Sequence, residues 1–486
     1  MIIICNNDFL FISIDKGRQM QQKSLHKSFE SSQRSMMGNH ASALEDMVHF
    51  EAEITDNPLK NAFKGKAAVH THIPGLSYMG DEAISVIKNQ YENKRQGTSL
   101  AYIHVPFCET RCLYCLFYQN PLQAESSEHY TNLLIKELQL WSDMPAQKNE
   151  PIHAVYFGGG TPTALNPQDL YRLITAVKTY LPLANDCEMT LEGRIHHFPE
   201  EKMEAAFKAG INRVSLGVQT FNTQVRQTMR RVDDRDTMIR AIETLASFNQ
   251  ASIVCDLIYG FPYQDMSVWE DDVKTAITLP LDGIDCYQLN VFEKSPLGKF
   301  IANGKLPAGA DKEERAEMFA RSVELLTNAQ WRRLSNNHWC QTFRERNIYN
   351  RFGKSAADCL AFGSGAGGKL NGYSFMIERK YDEWAKKIEN DIKPIAFASA
   401  PNDHWHALRT VSSEMELGRI NMRRLSDIYS LPLEALSQDV FKQWTKAGLI
   451  NPVGDWMVQT VAGQFWHTTM AQLLVNVLTK RLAQAK

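Results

Sequence analysis

The 486-residue sequence lacks a long hydrophobic run, because no stretch reaches the roughly 18 to 20 uninterrupted apolar residues that a membrane-spanning helix needs. It also lacks an excess of charge, since 53 basic and 55 acidic residues leave a formal net charge of −2. This balance provides no field that would attract nucleic acid or an anionic membrane. The apolar opening MIIICNNDFLFISI is interrupted by polar residues and has neither a preceding basic segment nor a following cleavage site, so we expect no signal peptide. These absences predict a cytoplasmic protein without membrane insertion or a nucleic-acid partner.

Cysteine is scarce as well, and its distribution excludes a secreted disulfide framework. Nine cysteines, an odd number, are spread unevenly over the chain. Three of them, Cys108, Cys112 and Cys115, fall within the string IHVPFCETRCLYCLFYQN. In a reducing compartment such a tight group is more often a metal site. We expect the remaining six to be buried or inert thiols: Cys5, Cys187, Cys255, Cys286, Cys340 and Cys359.

The pattern along the chain predicts four segments. Residues 1–65 are polar and rich in Ser, Gln and Lys, which indicates a poorly ordered extension. Residues 66–310 form the core, residues 311–395 are a connecting segment, and residues 396–486 combine small helices with a hairpin in a winged-helix-like order. No basic stripe accompanies that last segment, so DNA binding is not indicated. Three internal methionines are alternative translation starts: Met36, Met37 and Met47.

From about residue 98, short apolar runs alternate with amphipathic helical stretches. The strand candidates are SLAYIHV, HAVYFGG, EMTLEG, INRVSLGV, SIVCDLIYG and GIDCYQLNVF. This alternation predicts an α/β fold with a parallel sheet wrapped by helices, either an open sheet or a partial or full barrel. Ligand sites in such folds lie at the carboxyl ends of the strands. The cysteine group directly follows the first strand and therefore lies where a site is expected.

The spacing C-x3-C-x2-C suits an iron–sulfur cluster better than zinc. Three thiolates can hold three irons of a [4Fe–4S] cube and leave the fourth iron without a protein ligand. Structural zinc needs four ligands, but Leu116 and Phe117 follow Cys115 and complete no such set. His104 lies on the preceding strand, where we expect it to be a core residue or to support a ligand.

Further polar residues and glycines follow the later strands. In YFGGGTPTAL, consecutive glycines let backbone amides approach a ligand, and Thr161 adds a hydroxyl, although a tight turn is the alternative. Glu192 at a strand end can accept hydrogen bonds from an amine or a ribose, or it is a solvated charge. Gln219 follows another strand, Arg231 comes twelve residues later, and Asp256 lies in CDLIYGFP. Taken singly, each of these has an ordinary structural explanation.

Together, these motifs resemble those of the radical S-adenosylmethionine (SAM) superfamily. The resemblance implies that the open iron binds the amino and carboxylate groups of SAM, and that reduction cleaves SAM to a 5′-deoxyadenosyl radical. Over roughly residues 98–480, the order of motifs is similar to that of the coproporphyrinogen-oxidising branch, which implies a partial (β/α)6 TIM-type barrel with a winged-helix-like C-terminal domain. The residues that would contact the cluster-bound SAM are Tyr102, Gly159 and Glu192. Those that match positions holding a second SAM are Gly160, Thr161, Gln219, Arg231 and Asp256.

Two members of this branch are disfavoured by specific departures. Oxygen-independent coproporphyrinogen III dehydrogenases carry a further cysteine where this chain has Phe117. Haem chaperones carry a His-Asn-x-x-Tyr-Trp motif, whereas residues 346–351 read RNIYNR. The strings FYQNP, LEGRIHHF and SLGVQTFNTQVRQTMRR instead resemble the anaerobic haem-degrading radical SAM methyltransferases, the ChuW/HutW or anaerobilin synthase family. This resemblance implies opening of the haem macrocycle without oxygen, with methyl transfer from SAM, a linear tetrapyrrole product and release of iron.

Haem as substrate requires partners for its propionates and its iron. Candidate propionate partners, each of which is otherwise a surface arginine, are Arg194, Arg230, Arg344 and Arg346. Candidate iron ligands, each of which is otherwise a structural histidine, are His196, His197 and His338. The adjacent histidines point to opposite faces if they extend a strand, so at most one would face a cleft. The Gly-rich string GSGAGG at 363–368 either closes over SAM or is a plain loop. We expect an electron donor that is flavodoxin- or NADPH-linked.

Overall fold

The computed structural model describes residues 50–122 and 126–485, and these form two compact units. The first unit is Pro74–Ser413; the second combines the described residues up to Ile73 with those from Glu414 onward. Among the described residues, every helix is too short or too polar to span a bilayer.

The first unit contains fifteen strands among its described residues. They are β1 (Leu76–Met79), β2 (Ser99–Val105), β3 (Phe107–Cys108), β4 (Asn120–Pro121), β5 (Ile152–Gly159), β6 (Leu183–Gly193), β7 (Arg213–Gln219), β8 (Ser252–Tyr259), β9 (Gly283–Gln288), β10 (Arg332–Arg333), β11 (His338–Cys340), β12 (Asp358–Phe362), β13 (Gly367–Leu370), β14 (Tyr373–Ile377) and β15 (Ile395–Ala400).

Thirteen of these strands form one sheet in the order β1-β15-β14-β13-β12-β2-β5-β6-β7-β8-β9-β11-β10. The neighbours from β12 through β2 to β9 are parallel, and the remaining pairs are antiparallel. Six parallel strands in chain order, β2 and β5 to β9, give a partial (β/α)6 barrel, which the described strands leave open between β1 and β10. The predicted α/β barrel is thereby confirmed in its partial form.

Helices cover this sheet, and their amino ends are capped by the expected residue types. Asp234, Asp265 and Asp311 each accept a hydrogen bond from the backbone N–H three residues on, which satisfies an otherwise unpaired donor. The helices of this unit are Gly80–Tyr91, Ser126–Leu140, Pro145–Lys148, Pro167–Tyr180, Glu200–Ala209, Thr223–Thr228, Arg235–Ser247, Met266–Thr278, Pro296–Ala302, Lys312–Asn328, Ile348–Gly353 and Tyr381–Glu389, with Trp405–Glu416 at the boundary. Two short 3-10 helices are Pro162–Ala164 and Ile195–His197.

The segment 311–395 extends the sheet at both sides, since it supplies β10 and β11 beyond β9 and β12 to β14 beside β2. The strand–helix alternation stops after residue 310 because these added strands pair mainly antiparallel, which needs no crossover helix.

The second unit joins a small sheet to helices in a winged-helix-like order. Its sheet has the order β16-β18-β17, formed by β16 (Arg419–Ile420), β17 (Ile450–Val453) and β18 (Trp456–Gln459). Its helices are Pro58–Asn61, Met422–Tyr429, Leu433–Lys446, Val461–Phe465 and His467–Gln484.

Residues 50–65, which the sequence assigns to a poorly ordered extension, pack within this second unit. The backbone of Ala52 exchanges two hydrogen bonds with the Gln443 side chain, and the Phe63 and Trp466 ring centroids lie 5.4 Å apart. A few isolated apolar residues make these contacts, so they leave no periodic pattern in the sequence. Residues 1–49 lie outside the described residues, so a poorly ordered extension remains a prediction for them.

Candidate functional site

The three clustered cysteines lie on a loop at the carboxyl end of β2. The loop closes on itself, because the backbone N–H of Asn120 donates to Pro106 O (3.2 Å) and that of Leu122 donates to Cys108 O (3.1 Å). Cys108, Cys112 and Cys115 are 1%, 1% and 8% exposed. We call residues 106–122 the cysteine loop. The predicted position at the carboxyl edge of the sheet is confirmed.

The donor set at the sulfurs fits a cluster better than a single ion. Among the described residues, no three His, Cys, Asp or Glu side chains surround one metal position. Thiolates of an iron–sulfur cube bind different irons, so they need no common centre. Each sulfur also receives a hydrogen bond, as an anionic cluster requires: Thr161 Oγ1 to Cys108 (3.4 Å), Arg231 Nη1 to Cys112 (3.6 Å) and Phe117 N to Cys115 (3.3 Å).

The three thiols differ in acidity. Burial raises the pKa of Cys108, and burial together with the nearby Cys112 raises the pKa of Cys115 to about 11. Burial acts the same way on Cys112, but the guanidinium groups of Arg231 and Arg194 outweigh it and lower its pKa. The charges of Arg231 and Arg194 therefore favour the thiolate form of Cys112.

The glycines that follow β5 are required by the protein's own packing. A Cβ on Gly160 would lie 2.5 Å from the carbonyl oxygen of Phe107 in the cysteine loop. Gly159 has φ 118°, and a Cβ there would meet the His104 ring at 2.7 Å. From the sequence, we expect these glycines to let a ligand approach the backbone. The structure gives a second reason, because only glycine lets this turn lie so close to the cysteine loop.

His104 connects β2 with the cysteine loop. Its Nδ1 lies 3.1 Å from Tyr102 Oη, and its Nε2 lies 3.3 Å from Gln119 Nε2. Burial lowers its pKa to about 3, so the ring is neutral. With both ring nitrogens engaged, His104 supports the site as expected and is not a fourth cluster ligand.

Glu192 is the penultimate residue of β6 and lies near the cysteine loop. One of its carboxylate oxygens has no hydrogen-bond partner in the described chain. The residue is 5% exposed, and Oε2 has no hydrogen-bond partner among the described residues. Burial, with the charge of Asp256 adding to it, raises the pKa of Glu192 to about 7. A buried carboxylate oxygen without a donor is unfavourable unless a ligand supplies one.

Gln219 and Arg231 each have a buried polar atom without a hydrogen-bond partner in the described chain. Gln219 lies at a bulge of β7 with φ 74°, and its Oε1 is buried without a partner in the described chain. Arg231 donates to Gly217 O and to Tyr114 Oη (3.2 Å), while its Nε lacks a partner there. Asp256 lies on β8 in register with Asp285 of β9, and burial raises its pKa, with Asp285 adding to the shift.

The structure places the sequence-predicted cofactor residues between the middle of the strands, where Tyr102 lies on β2, and the loops at their carboxyl edge. They are Tyr102, Cys108, Cys112, Cys115, Gly159, Gly160, Thr161, Glu192, Gln219, Arg231 and Asp256. Their assignment to particular atoms of SAM remains a proposal.

The candidate propionate arginines do not form one group. Arg194 binds the cysteine loop, and Arg230 is exposed with its guanidinium 5.6 Å from the Phe300 ring centroid. Arg344 donates to Ala251 O (2.6 Å) just before β8, and Arg346 donates to Asp186 O (2.7 Å) near the start of β6. Arg344 and Arg346 thus lie at the amino ends of the strands, away from the cysteines.

The histidine candidates, each of which has a structural role as its alternative, differ in their surroundings. His196 and His197 form a 3-10 turn rather than a strand extension, so both reach Glu109, at 3.5 and 2.9 Å. His338 is 1% exposed, with Nδ1 2.8 Å from Asp285 and Nε2 3.1 Å from Glu345. Two carboxylates occupy both of its nitrogens, so His338 is not an available iron ligand.

Several site residues were not predicted from the sequence. Tyr114 lies between Cys112 and Cys115, and Gln119 lies within FYQNP, so their place in these two strings was the available signal. Tyr349, in the RNIYNR string, packs against Tyr156 with ring centroids 4.7 Å apart and the rings tilted by 31°. The GSGAGG string lies against the same loop, since a Cβ on Gly365 would meet the Gln119 side chain at 2.5 Å.

Comparisons with known proteins agree with this geometry. The Radical SAM superfamily profile matches residues 102–276. Anaerobilin synthase of Escherichia coli O157:H7 is 40% identical over 382 residues, which cover 78% of this chain and 84% of that protein. The heme chaperone HemW of Bacillus subtilis (strain 168) is 26% identical over 72% of this chain and 92% of its own. The structure of coproporphyrinogen III oxidase (HemN) from Escherichia coli superposes with a TM-score of 0.72 at 17% identity, covering 87% of this chain and 99% of that one.

Proposed function

Because the chain belongs to the radical SAM superfamily and, within it, to the family of anaerobilin synthase, we propose that it degrades haem without oxygen. It is a SAM-dependent radical methyltransferase that opens the porphyrin ring to a linear tetrapyrrole and releases iron. The observation that carries this function is the 40% identity to anaerobilin synthase across most of both chains. The buried three-cysteine loop at the carboxyl edge supports it independently.

When bound, the [4Fe–4S] cluster and SAM supply a 5′-deoxyadenosyl radical by one-electron reduction. Cys108, Cys112 and Cys115 would hold three irons of the cluster. Tyr102 and Gly159 would line the adjoining SAM site, and Glu192 Oε2, which has no partner in the described chain, would accept a hydrogen bond from SAM.

We also propose a second SAM, which would supply the methyl group. Two buried atoms support it, Gln219 Oε1 and Arg231 Nε, because each needs a partner that the described chain does not provide. Gly160, Thr161 and Asp256 complete this second site.

The haem propionates need basic partners, and Arg230 remains the exposed candidate near the site. Haem iron would bind at His197, which lies beside the cysteine loop, because His196 has a carboxylate at each of its ring nitrogens. The electron donor would be flavodoxin- or NADPH-linked. A cytoplasmic location is supported by the eight described cysteines, which are all buried and free of disulfides, whereas Cys5 lies outside the described residues.

The test is an anaerobic reaction of the reconstituted protein with haem, SAM and a reductant. We expect the Soret band to bleach while 5′-deoxyadenosine and a methylated linear tetrapyrrole accumulate. Cys112→Ala is the matched control and should leave all three signals unchanged from a protein-free sample. An unchanged Soret band with haem bound would instead indicate a haem carrier, and vinyl formation on coproporphyrinogen III would indicate the biosynthetic dehydrogenase.

A further inference from the structure

Arg194 spans from the end of β6 to the cysteine loop. It follows Gly193, the last residue of β6, and its backbone N–H donates to Thr163 Oγ1 (3.3 Å). Its Nη1 donates to Thr110 O (3.2 Å) and Thr110 Oγ1 (3.1 Å). The same guanidinium places Nη2 3.9 Å from Cys108 Sγ. Arg194 therefore connects the strand that carries Glu192 to the first cluster cysteine.

Among the described residues Arg194 forms no ion pair with a carboxylate, and its side-chain hydrogen bonds go to Thr110 and Cys108, although its charge also acts on the Glu192 carboxyl. The acidic residue nearest in sequence, Glu109, pairs instead with His197 Nε2 at 2.9 Å. Cys108 is 1% exposed, so water screens its interaction with the guanidinium weakly. The charge is thus available to the sulfur that holds an iron.

Reduction adds one negative charge to the cluster. A nearby cation and an N–H group directed at a cysteine sulfur both favour the more negative, reduced state, and such contacts are known to set cluster potentials. We propose that Arg194 is a positioning residue that holds the Cys108 arm of the loop and raises the reduction potential of the cluster. This inference rests on the proposed function, because it requires the cluster.

The experiment is an EPR-monitored redox titration of the reconstituted protein without SAM. Three variants are compared with the parent: Arg194→Lys, Arg194→Gln and Arg172→Gln. Arg172 is a matched control because it also loses one positive charge, but on the outer helix Pro167–Tyr180, where it pairs with Asp169 at 3.0 Å. Iron and sulfide per chain are measured for every sample.

We expect the midpoint potential to become more negative in the order parent, Arg194→Lys, Arg194→Gln, with Arg172→Gln equal to the parent. Lysine is intermediate because it keeps the charge but cannot contact Thr110 and Cys108 together. If Arg194→Gln binds no cluster, Arg194→Lys decides alone: a midpoint equal to the parent's overturns the proposal. Loss of the cluster in both Arg194 variants overturns it too, in favour of a purely structural role. If the parent binds no [4Fe–4S] cluster, the proposed function fails instead.

Discussion

Two glutamates are buried in the same partial barrel, and their surroundings differ. Glu345 is 1% exposed and is bound by Arg213 Nε at 3.0 Å, His338 Nε2 at 3.1 Å and Ser252 Oγ at 2.7 Å. Glu192 is 5% exposed, but its Oε2 has no partner in the described chain. Although burial opposes the ionisation of both carboxyls, Arg213 and His338 lower the pKa of Glu345 to about 2, whereas that of Glu192 rises to about 7.

On the proposed function, the difference separates a charge network within the fold from the SAM-binding region. Around Glu345, the chain supplies the opposite charges itself, so removing one partner would leave a buried charge uncompensated, although Arg213 Nη1 and Nη2 also have no hydrogen-bond partner in the described chain. Around Glu192, Gln219 and Arg231, buried polar atoms are left for something other than the described chain to satisfy. Substitutions in the first region should therefore change stability, and those in the second should change ligand binding.

The largest effect should come from the cysteine loop. Cys112→Ala removes one of three cluster ligands, and we expect complete loss of cluster absorbance and of SAM cleavage. Cys255→Ala is the matched control, since Cys255 is a fully buried thiol within β8 and should keep both. Cleavage of SAM by the Cys112 variant would show that Cys112 is not a cluster ligand, and the cysteine loop would then not be the site of the cluster.

Glu345→Gln should have the next largest effect, on stability. It leaves the buried cation of Arg213 without its hydrogen-bonded carboxylate and His338 with Asp285 alone, and breaking such a buried pair costs about 3–5 kcal/mol. Chemical denaturation under anaerobic conditions measures the loss. Glu192→Gln, the matched change in the other region, should not lower stability, and near and above pH 7 it should raise it, because burial makes the ionised carboxyl unfavourable. Equal losses in the two variants would mean that the regions do not differ.

The sequence predicts the strand and the cysteine loop at the carboxyl edge, but it does not predict the charge network around Glu345. The run SLAYIHV is strand β2 residue for residue, because its branched and aromatic side chains are buried on both faces. The cysteine spacing is local too, so it shows directly in the sequence. The pair of Arg213 and Glu345 joins residues 132 positions apart, and nothing local distinguishes either from a surface charge.

The antiparallel addition of β11 explains why the sequence left the role of His338 open. His338 faces Asp285 only because β11 pairs with β9, and that pairing depends on the tertiary fold. Likewise, Arg346 looked like a propionate partner until the fold placed it at Asp186. Contacts made across strands that are distant in sequence are therefore what pattern analysis missed.

The pH dependence of stability should report on the same buried network. Burial opposes protonation of His338, but Asp285 and Glu345 raise its pKa to about 9, against about 6.5 in the unfolded chain. A raised histidine pKa stabilises the fold fully below pH 6.5, and this contribution is lost as the pH rises through 9. For Glu345 the loss comes instead as the pH falls from about 4.5 to 2.

We therefore expect the unfolding free energy of the parent to exceed that of His338→Gln by up to about 3 kcal/mol at pH 6, and by much less at pH 9.5. The difference between the two proteins cancels groups that both share, Glu192 among them. Denaturation at a series of pH values measures it. A difference that does not change between pH 6 and 9.5 would show that His338 is not held as a cation.

Glu192→Gln gives the smallest effect in free energy and the sharpest test of the functional region. The substitution keeps the size of the side chain but replaces one buried oxygen by an NH₂ donor, so a donor group of SAM would no longer find an acceptor there. Loss of a hydrogen bond to a charged group costs about 1.5–3 kcal/mol, which corresponds to roughly a 10- to 150-fold weaker affinity for SAM. Calorimetry with the reconstituted protein measures the affinity, and Glu345→Gln, at a temperature where it remains folded, should bind SAM as the parent does. Parent-like binding by Glu192→Gln would mean that the orphaned oxygen serves a group other than SAM.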